Sequence, residues 1–162
     1  MKKKIKIREI TEKDTEWIIN VSTTNWGSNI IISRGISHDV SKLPGFIALR
    51  DNEIVGMISY NIDSDNNCEI VLLESMVENQ GIGTMLVDKV LKISKKTKVN
   101  KIWLITSNDN INALKFYQKK GFSLVAVHRD AITKARRIKP EIPEVGYHDI
   151  PIKDEIELEY LI

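Results

Sequence analysis

The sequence predicts a single α/β domain over residues 1–162, with a mixed, mainly antiparallel sheet of six or seven strands flanked by about four helices. First, 162 residues of which 42% are hydrophobic suffice for one core. Second, the first half carries short apolar runs separated by polar turns, which is typical of antiparallel hairpins. Third, the second half alternates strand and helix patterns, and this order requires a parallel crossover.

The N-terminal segment predicts an edge strand followed by a helix. Residues 4–10 alternate charged and apolar side chains, the period of a strand with one buried face. Thr11 and Asp14 have the spacing of a capping box, and apolar residues then recur at helical spacing, so we expect a helix over residues 12–25. Residues 27–44 are rich in Gly and Ser and predict a long connection that contains at most a short helix.

Three apolar runs then predict an antiparallel meander. Residues 46–50 and 54–60 flank the polar residues 51–53, the pattern of a hairpin with a tight turn. The third run, residues 68–77, is expected to pair with the second run.

After Gly81 the apolar residues recur at the spacing of an amphipathic helix with a lysine-rich outer face. The remaining predicted elements, in chain order, are a buried strand at 101–106, a helix at 109–120, a strand at 122–127, a short helix at 131–137 and a final half-buried strand at 155–161. The only parallel pair is expected between residues 69–77 and residues 101–106.

Composition and charge exclude several classes of function. The 24 Lys+Arg and 22 Asp+Glu give a net charge of +2, too small for a basic field that binds nucleic acid or anionic membranes. No run approaches the roughly 18 apolar residues of a spanning helix, and no apolar region follows the basic N-terminus. We therefore expect a cytoplasmic protein without nucleic-acid or membrane partners. One cysteine, Cys68, and three histidines predict no metal site.

A glycine-bearing turn, Glu-Asn-Gln-Gly-Ile-Gly-Thr at residues 78–84, joins an apolar strand to the predicted helix. The first amides of a helix and its dipole bind anions, and glycines let a ligand approach the backbone, so the turn suits a pyrophosphate. The pattern is neither a Walker loop nor a Rossmann fingerprint. A bare helix start is the alternative that this pattern leaves open.

A second motif lies on the helix predicted at residues 109–120. Asn110, Ala113 and Tyr117 are spaced i, i+3 and i+7, so they share one face of the helix. The small side chain of Ala113 leaves that face shallow enough for a slender ligand. The alternative for Tyr117 is simple packing in the core.

Together the two motifs resemble those of the GNAT superfamily of acyl-CoA-dependent N-acyltransferases. In that family a Gly-x-Gly turn follows the fourth strand, and an Asn-x-x-Ala-x-x-(Phe/Leu)-Tyr-x-x-x-Gly-Phe segment lies further along the chain. Residues 81–83 and 110–122 match these patterns. The resemblance implies a GNAT-like sheet that splays between its fourth and fifth strands, with the pantetheine arm inserted between residues 73–77 and residues 101–106.

The resemblance also implies acetyl-CoA as cosubstrate, no metal, and a set of contacts. Glu78 stands where the family has Arg or Gln, while both glycines match. Asn110 corresponds to an asparagine that contacts the cofactor arm, and Tyr117 to a tyrosine near the thioester sulfur that can protonate the departing thiolate. The residues implied to bind the cofactor are Ser75, Met76, Val77, Asn79, Gln80, Gly81, Ile82, Gly83, Thr84, Asn110, Ala113 and Tyr117.

Attack on a thioester also needs a base, because an ammonium group has no lone pair. Glu74 is our candidate, since it interrupts an apolar strand just before the glycine turn, where burial raises the pKa of a carboxyl group. Glu69 and an ordered water are the alternatives. A backbone N–H within residues 75–77 is expected to stabilise the oxyanion.

The resemblance therefore implies an N-acetyltransferase that moves an acetyl group from acetyl-CoA directly to a primary amine in a ternary complex, without a covalent intermediate on Cys68. The acceptor is a small molecule or a protein or peptide amine. Acidic residues between positions 141 and 159 lead to the hypothesis that the acceptor groove favours cationic amines. A homodimer through the final strand and residues 128–154 is one option. A non-catalytic acyl-CoA sensor or interaction module on the same fold is the alternative function.

Overall fold

The computed structural model describes residues 3–162, which contain nine strands and four α-helices. The strands are β1 (Ile5–Glu9), β2 (Ile30–Ser33), β3 (Ile36–Asp39), β4 (Gly45–Arg50), β5 (Glu53–Ile62), β6 (Cys68–Ser75), β7 (Lys101–Ser107), β8 (Ser123–His128) and β9 (Glu155–Leu161). The helices are α1 (Thr15–Trp26), α2 (Ile82–Thr97), α3 (Ile111–Lys119) and α4 (Ala131–Ile138). Within residues 3–162, no helix is long and apolar enough to cross a membrane.

Seven of these strands form one sheet in the order β1-β4-β5-β6-β7-β9-β8, and β2 and β3 form a separate hairpin. Neighbouring strands of the large sheet are antiparallel except β6 and β7, which are parallel and are connected by α2. The predicted fold class, a mixed and mainly antiparallel sheet with four helices, is confirmed, and so is the position of the parallel pair.

The parallel strands β6 and β7 separate soon after they begin. Their ladder has three residue pairs and ends at Ile70–Leu104. At the next position Val71 is an extra residue of β6, because its neighbours on either side pair with consecutive residues of β5. A bulge of this kind bends its strand. The sheet therefore opens between its fourth and fifth strands, as the resemblance stated above implied.

The bulge also changes which face of the sheet the following side chains occupy. Ile70 belongs to the apolar cluster beneath α2 and α3, whereas Leu72 belongs to the cluster beneath α1. Simple alternation along a strand would place these two residues on the same face. Because Glu74 comes two residues after Leu72, it projects toward α1, away from α2.

Residues 27–44 are not the long connection that the sequence predicted. The strands β2 and β3 pair over four residue pairs, and the turn residues Arg34 and Gly35 both have positive φ, 49° and 77°. These angles are those of a tight two-residue hairpin turn. The apolar run at Ile30–Ile32 is too short to display a period, so the pattern did not predict a strand. The expected short helix is a 3₁₀ turn at Val40–Lys42.

The final strand β9 is not at an edge of the sheet. It pairs with β7 on one side and with β8 on the other, and the edges are β1 and β8. The expected edge position of the final strand is therefore wrong, because both hydrogen-bonding edges of β9 are used within the chain, and a homodimer stays a prediction.

Candidate active site

A cleft of about 910 Å³ opens where β6 and β7 separate. One wall is formed by the end of α1 and by β2, including Trp26 and Ile31, and the opposite wall by α4 and the segment after it, including Ala135 and Tyr147. The floor consists of residues from β6, β7 and the start of β9. The cleft therefore lies on the face of the sheet toward which Glu74 projects.

Glu74 lines the floor of this cleft just before the glycine turn. Its Oε1 accepts a hydrogen bond from the indole Nε1–H of Trp26. Burial raises the pKa of Glu74, and hydrogen bonds from Trp26 and Asn25 oppose that rise. The pKa of this carboxyl group is thus shifted toward neutral pH, where a general base is most effective.

The edge of β6 that faces the opening carries backbone groups without a strand partner. Beyond Ile70, no residue of β6 pairs with β7. On the opposite edge the N–H of Met76 donates to Val55 O over 2.8 Å. Since successive amides of a strand point in opposite directions, the N–H groups of Leu73 and Ser75 point into the opening. Met76 is therefore excluded as the oxyanion donor among residues 75–77, because its N–H is already used.

The turn before α2 leaves the first amides of that helix without a side-chain cap. Gly81 is the N-cap residue with a φ of 72°, a conformation that favours glycine. A Cβ built at Gly81 meets no atom within 4 Å, so the space beside the turn is open. The start of a 16-residue helix with open space in front of it is a suitable anion site.

The helix α3 begins at the same opening. Asn110 lines the cleft, and its Oδ1 accepts a hydrogen bond from the N–H of Ala113 (3.1 Å), so it caps α3. The neighbouring Asp109 also lines the cleft and is 2% exposed. Its Oδ2 accepts a hydrogen bond from the backbone N–H of Tyr147 (2.9 Å). Its Oδ1 has no hydrogen-bond partner among the described residues. Asp109 was not among the predicted site residues, and its one signal in the sequence is its place directly before the cap residue.

Tyr117 lies in the core rather than in the wall of the cleft. Its side chain is 7% exposed and packs edge to face against Phe116 and Phe122, with ring centroids 5.0 and 5.5 Å apart. Burial raises the pKa of its phenol. Tyr117 shares the face of α3 with Asn110, so the motif predicted from the sequence is present, and its chemical role stays a prediction.

A second, smaller groove of about 470 Å³ lies beside the first turn of α2. It is lined by Thr84 and by three lysines: Lys115 in the middle of α3, Lys119 at its end and Lys120 directly after it. Lys120 also pairs with Asp88. The sequence analysis did not single out these lysines, although the i, i+4 spacing of Lys115 and Lys119 was available as a signal. A groove with this charge suits phosphate groups.

The alternative base Glu69 lies outside the cleft, as do His128 and Cys68. Glu69 contacts the buried His38 (Oε2 to Nε2, 3.2 Å), and His128 contacts Glu157 (Nε2 to Oε1, 3.0 Å). Cys68 is fully buried, and burial raises the pKa of its thiol to about 11, so little thiolate is present at neutral pH. Within residues 3–162, no group of three or more His, Cys, Asp or Glu side chains is arranged to hold a metal.

Comparison with known proteins agrees with this architecture. The family model described as the acetyltransferase (GNAT) family matches residues 14–122. The uncharacterized protein YdhI of Bacillus subtilis (strain 168) is 48% identical over 134 residues, which are 82% of each chain. Among solved structures, the IAA acetyltransferase from Bacillus cereus has a TM-score of 0.78 at 19% identity, covering 98% of this chain and 100% of that one.

A GNAT family acetyltransferase from Elizabethkingia anophelis with acetyl-CoA bound has a TM-score of 0.71 at 22% identity, covering 98% of both chains. At these identities the two structures support the fold, while the family model covers most of the chain. The resemblance carried by residues 81–83 and 110–122 is thereby confirmed. The chain belongs to the GNAT family of acetyltransferases.

Proposed function

We propose that the protein transfers an acetyl group from acetyl-CoA to a primary amine within a ternary complex. The observation that carries the proposal is the opening between β6 and β7, where free backbone amides, the start of α2 and a deep cleft meet. The acetyl-CoA bound to the similar Elizabethkingia anophelis protein supports the choice of cosubstrate. The proposed reaction uses no metal.

Residues around the opening fit the parts of CoA. The first turn of α2 would bind the pyrophosphate through its amides. The free edge of β6, with the N–H of Leu73, would hold the pantetheine arm as an added strand, and Asp109 Oδ1, which lacks a partner among the described residues, would accept an amide N–H of that arm. The lysine-lined groove beside α3 would take the remaining phosphate.

A positive charge also lies beside the loop in which Glu78 replaces the family's Arg or Gln. Arg50 donates from Nη1 to Gln80 Oε1 over 2.8 Å. Its guanidinium, which comes from the end of β4, would offset the carboxylate of Glu78 near a dianionic pyrophosphate. Sequence reasoning missed Arg50, because only the sheet brings it close to the loop.

Acetyl-CoA would supply an acetyl thioester whose C–S bond breaks as the N–C bond to the acceptor forms. Glu74 would accept the proton that the acceptor ammonium must lose, and the bond from Trp26 would keep its carboxylate directed into the cleft. The raised pKa of Glu74 suits this task. The N–H of Ser75 would donate to the thioester oxygen as negative charge develops there.

Tyr117 would protonate the departing thiolate. Burial raises the pKa of the phenol, so its hydroxyl is neutral and can donate a proton. Because the ring packs against Phe116 and Phe122 outside the cleft wall, a hydroxyl role must be separated from a packing role. Tyr117→Phe does so, since it removes the hydroxyl and keeps the ring.

The test measures thiol release from acetyl-CoA with a panel of primary amines, together with calorimetric binding of acetyl-CoA. The wild-type protein should bind acetyl-CoA and release thiol only when an amine is present. Tyr117→Phe should keep the binding affinity and the unfolding temperature but lose about tenfold or more in kcat, the range of a general acid. Glu74→Gln should lose a similar factor and flatten the acid limb of the pH profile.

The burial of Tyr117 outside the cleft wall also favours the second candidate function, an acyl-CoA sensor. A sensor would bind acetyl-CoA without amine-dependent thiol release, and Tyr117→Phe would change nothing. Binding without turnover across the whole amine panel would replace the enzyme proposal by the sensor. Absence of acetyl-CoA binding by the folded protein would overturn both functions.

A further inference from the structure

The acceptor side of the cleft contains a buried ammonium group that the proposed transfer does not use. Lys139 directly follows α4, lines the cleft and is 6% exposed. Its Nζ donates to the backbone oxygen of Ile30 in β2 over 2.6 Å. Within residues 3–162, no carboxylate oxygen lies within 4.0 Å of this nitrogen.

This arrangement leaves a buried charge largely uncompensated. An ammonium group has three N–H donors, and Ile30 accepts one of them. Burying an ion costs several kcal/mol unless a counterion or further hydrogen bonds compensate it. Burial lowers the pKa of Lys139, and the charge of Glu141 opposes this effect without direct contact. A neutral glutamine at position 139 could make the same hydrogen bond to Ile30. That hydrogen bond therefore does not explain why the chain buries a charged side chain here.

Three of the four carboxylates that line the cleft have other partners, and the fourth, Glu141, acts on Lys139 only through its charge, without direct contact. Glu155, 2% exposed, accepts the backbone N–H of Arg34 at both oxygens (3.2 and 3.1 Å). Glu74 accepts from Trp26, and Asp109 accepts from the backbone of Tyr147. The exposed Glu141 lies at the rim. The anion that would compensate Lys139 is therefore expected from a ligand.

The end of α1 links Lys139 to the proposed base. Trp26, the last residue of α1, donates to Glu74. The next residue, Gly27, packs against Glu141, whose Cβ lies 2.8 Å from where a Cβ of Gly27 would stand. Glu141 is two positions after Lys139. Glu74 and Lys139 line one cleft, and the end of α1 contacts Glu74 directly and the segment after Lys139 through Glu141.

We propose that the acceptor is a primary amine that also carries an anionic group, a carboxylate or a phosphate, and that Lys139 binds this group. The inference rests on the proposed function and names its substrate class. It competes with the hypothesis of a groove that favours cationic amines. Of the acidic residues between positions 141 and 159, Glu141 and Glu155 line the cleft, and Glu155 is engaged by Arg34.

The test compares four acceptors of similar length that differ in the charge of the far end: pentylamine, 5-aminopentanoate, aminobutyl phosphate and 1,5-diaminopentane. Lys139→Gln removes the charge and keeps a donor for Ile30, while Lys139→Arg keeps the charge. Lys134→Gln, at an exposed position of α4, is the matched control for loss of one lysine. Thermal unfolding of each variant verifies that it is folded.

We expect kcat/KM of the wild-type protein to be at least about tenfold higher for one anionic acceptor than for pentylamine, a difference of about 1.4 kcal/mol. Lys139→Gln should lose this preference, so that its kcat/KM for the anionic acceptors falls to its value for pentylamine, whereas Lys139→Arg and Lys134→Gln should retain it. The better of the two anionic acceptors identifies carboxylate or phosphate. Equal rates for all acceptors, a preference for the diamine, or an anion preference that survives in Lys139→Gln would overturn the inference.

A binding measurement covers anionic amines that are not turned over. Each is titrated by calorimetry into protein saturated with CoA, and affinity for the better one should fall at least about tenfold in Lys139→Gln. If acetyl-CoA binds and another primary amine is acetylated, but neither anionic amine binds or reacts, the inference about Lys139 fails and the proposed function stands. If acetyl-CoA itself does not bind, the proposed function fails.

Discussion

A single carboxylate joins the first strand to the first helix. Asp14 accepts two hydrogen bonds from the guanidinium of Arg8 (2.7 and 2.8 Å) and one from the backbone N–H of Thr11 (2.8 Å). The bond from Arg8 lowers the pKa of Asp14 most strongly, while burial opposes this effect. The capping box predicted at Thr11 and Asp14 is present, and it begins a 3₁₀ turn that continues into α1.

We expect Asp14→Asn to lower the free energy of unfolding by about 2 kcal/mol at neutral pH, since hydrogen bonds to charged groups contribute roughly 1.5–3 kcal/mol each. Because the folded pKa lies below the unfolded one, the wild-type contribution is complete above the ordinary pKa of about 3.9 and is lost as pH falls through the lowered folded pKa. Urea unfolding at several pH values should show the two proteins converging in acid. A constant difference at every pH would contradict an ionic origin.

Asn110 has a structural role as the cap of α3 and a proposed role in binding the cofactor, and substitutions can separate the two. Asn110→Ala should cost about 1 kcal/mol of stability, because it removes the cap of α3. Asn110→Ser keeps a capping oxygen and should unfold like the wild type, but it lacks the side-chain N–H that we expect to contact the cofactor arm. Calorimetry should therefore give weak acetyl-CoA binding for both variants. Wild-type affinity in the serine variant would show that Asn110 acts only as a cap.

The thiol of Cys68 should be unreactive in the folded protein. It is fully buried, and its thiol has a pKa of about 11. A thiol reagent should modify it only on unfolding, and Cys68→Ala should keep acetyl transfer while losing about 1 kcal/mol of stability through the small cavity. Loss of acetyl transfer in a folded Cys68→Ala protein would indicate an acyl-cysteine intermediate and contradict direct transfer.

The start of α2 shows how two glycines of one motif differ. Gly81 has a φ of 72°, so Gly81→Ala should lower the free energy of unfolding by about 1 kcal/mol. Gly83 lies within the helix, and a Cβ there would be 3.5 Å from Phe116 Cζ, an ordinary van der Waals contact. Gly83→Ala should therefore raise the free energy of unfolding by up to about 1 kcal/mol. Denaturant unfolding measures both values, and equal losses would contradict this assignment.

The same turn offers a matched test of the anion site. Gly81→Glu carries the backbone strain of Gly81→Ala and adds a carboxylate in the open space beside the turn. We expect the glutamate variant to lose acetyl-CoA binding and the alanine variant to keep most of it. Equal binding by the two variants would show that the pyrophosphate does not lie at the start of α2.

The opening in the sheet makes the stability of β6 depend on what fills it. Without ligand, the amides of Leu73 and Ser75 should exchange with solvent faster than those of Leu72 and Glu74, which point toward β5. Acetyl-CoA at 100 times its Kd should raise the global free energy of unfolding by about 2.7 kcal/mol. It should also slow amide exchange most at Leu73 and Ser75. Amide exchange followed by NMR measures this, and uniform slowing along β6 would contradict insertion of the pantetheine arm as a strand.

Most elements could be predicted because their signals are local. The alternation in residues 4–10, the helical period after Gly81 and the match at residues 110–122 depend on neighbours in the chain, and each coincides with an observed element. The hairpin β2–β3 was missed because four-residue strands carry too little period.

The sequence by itself determined the order of the elements outside the β2–β3 hairpin, the glycine turn and the face shared by Asn110, Ala113 and Tyr117, since spacing along one helix or strand is a local property. Only the tertiary structure decided that β9 lies inside the sheet, that the bulge at Val71 turns Glu74 into the cleft, and that Lys139 is buried there without a carboxylate partner among residues 3–162. Each of these depends on pairing and packing between residues far apart in the chain, and such contacts leave no period in the sequence.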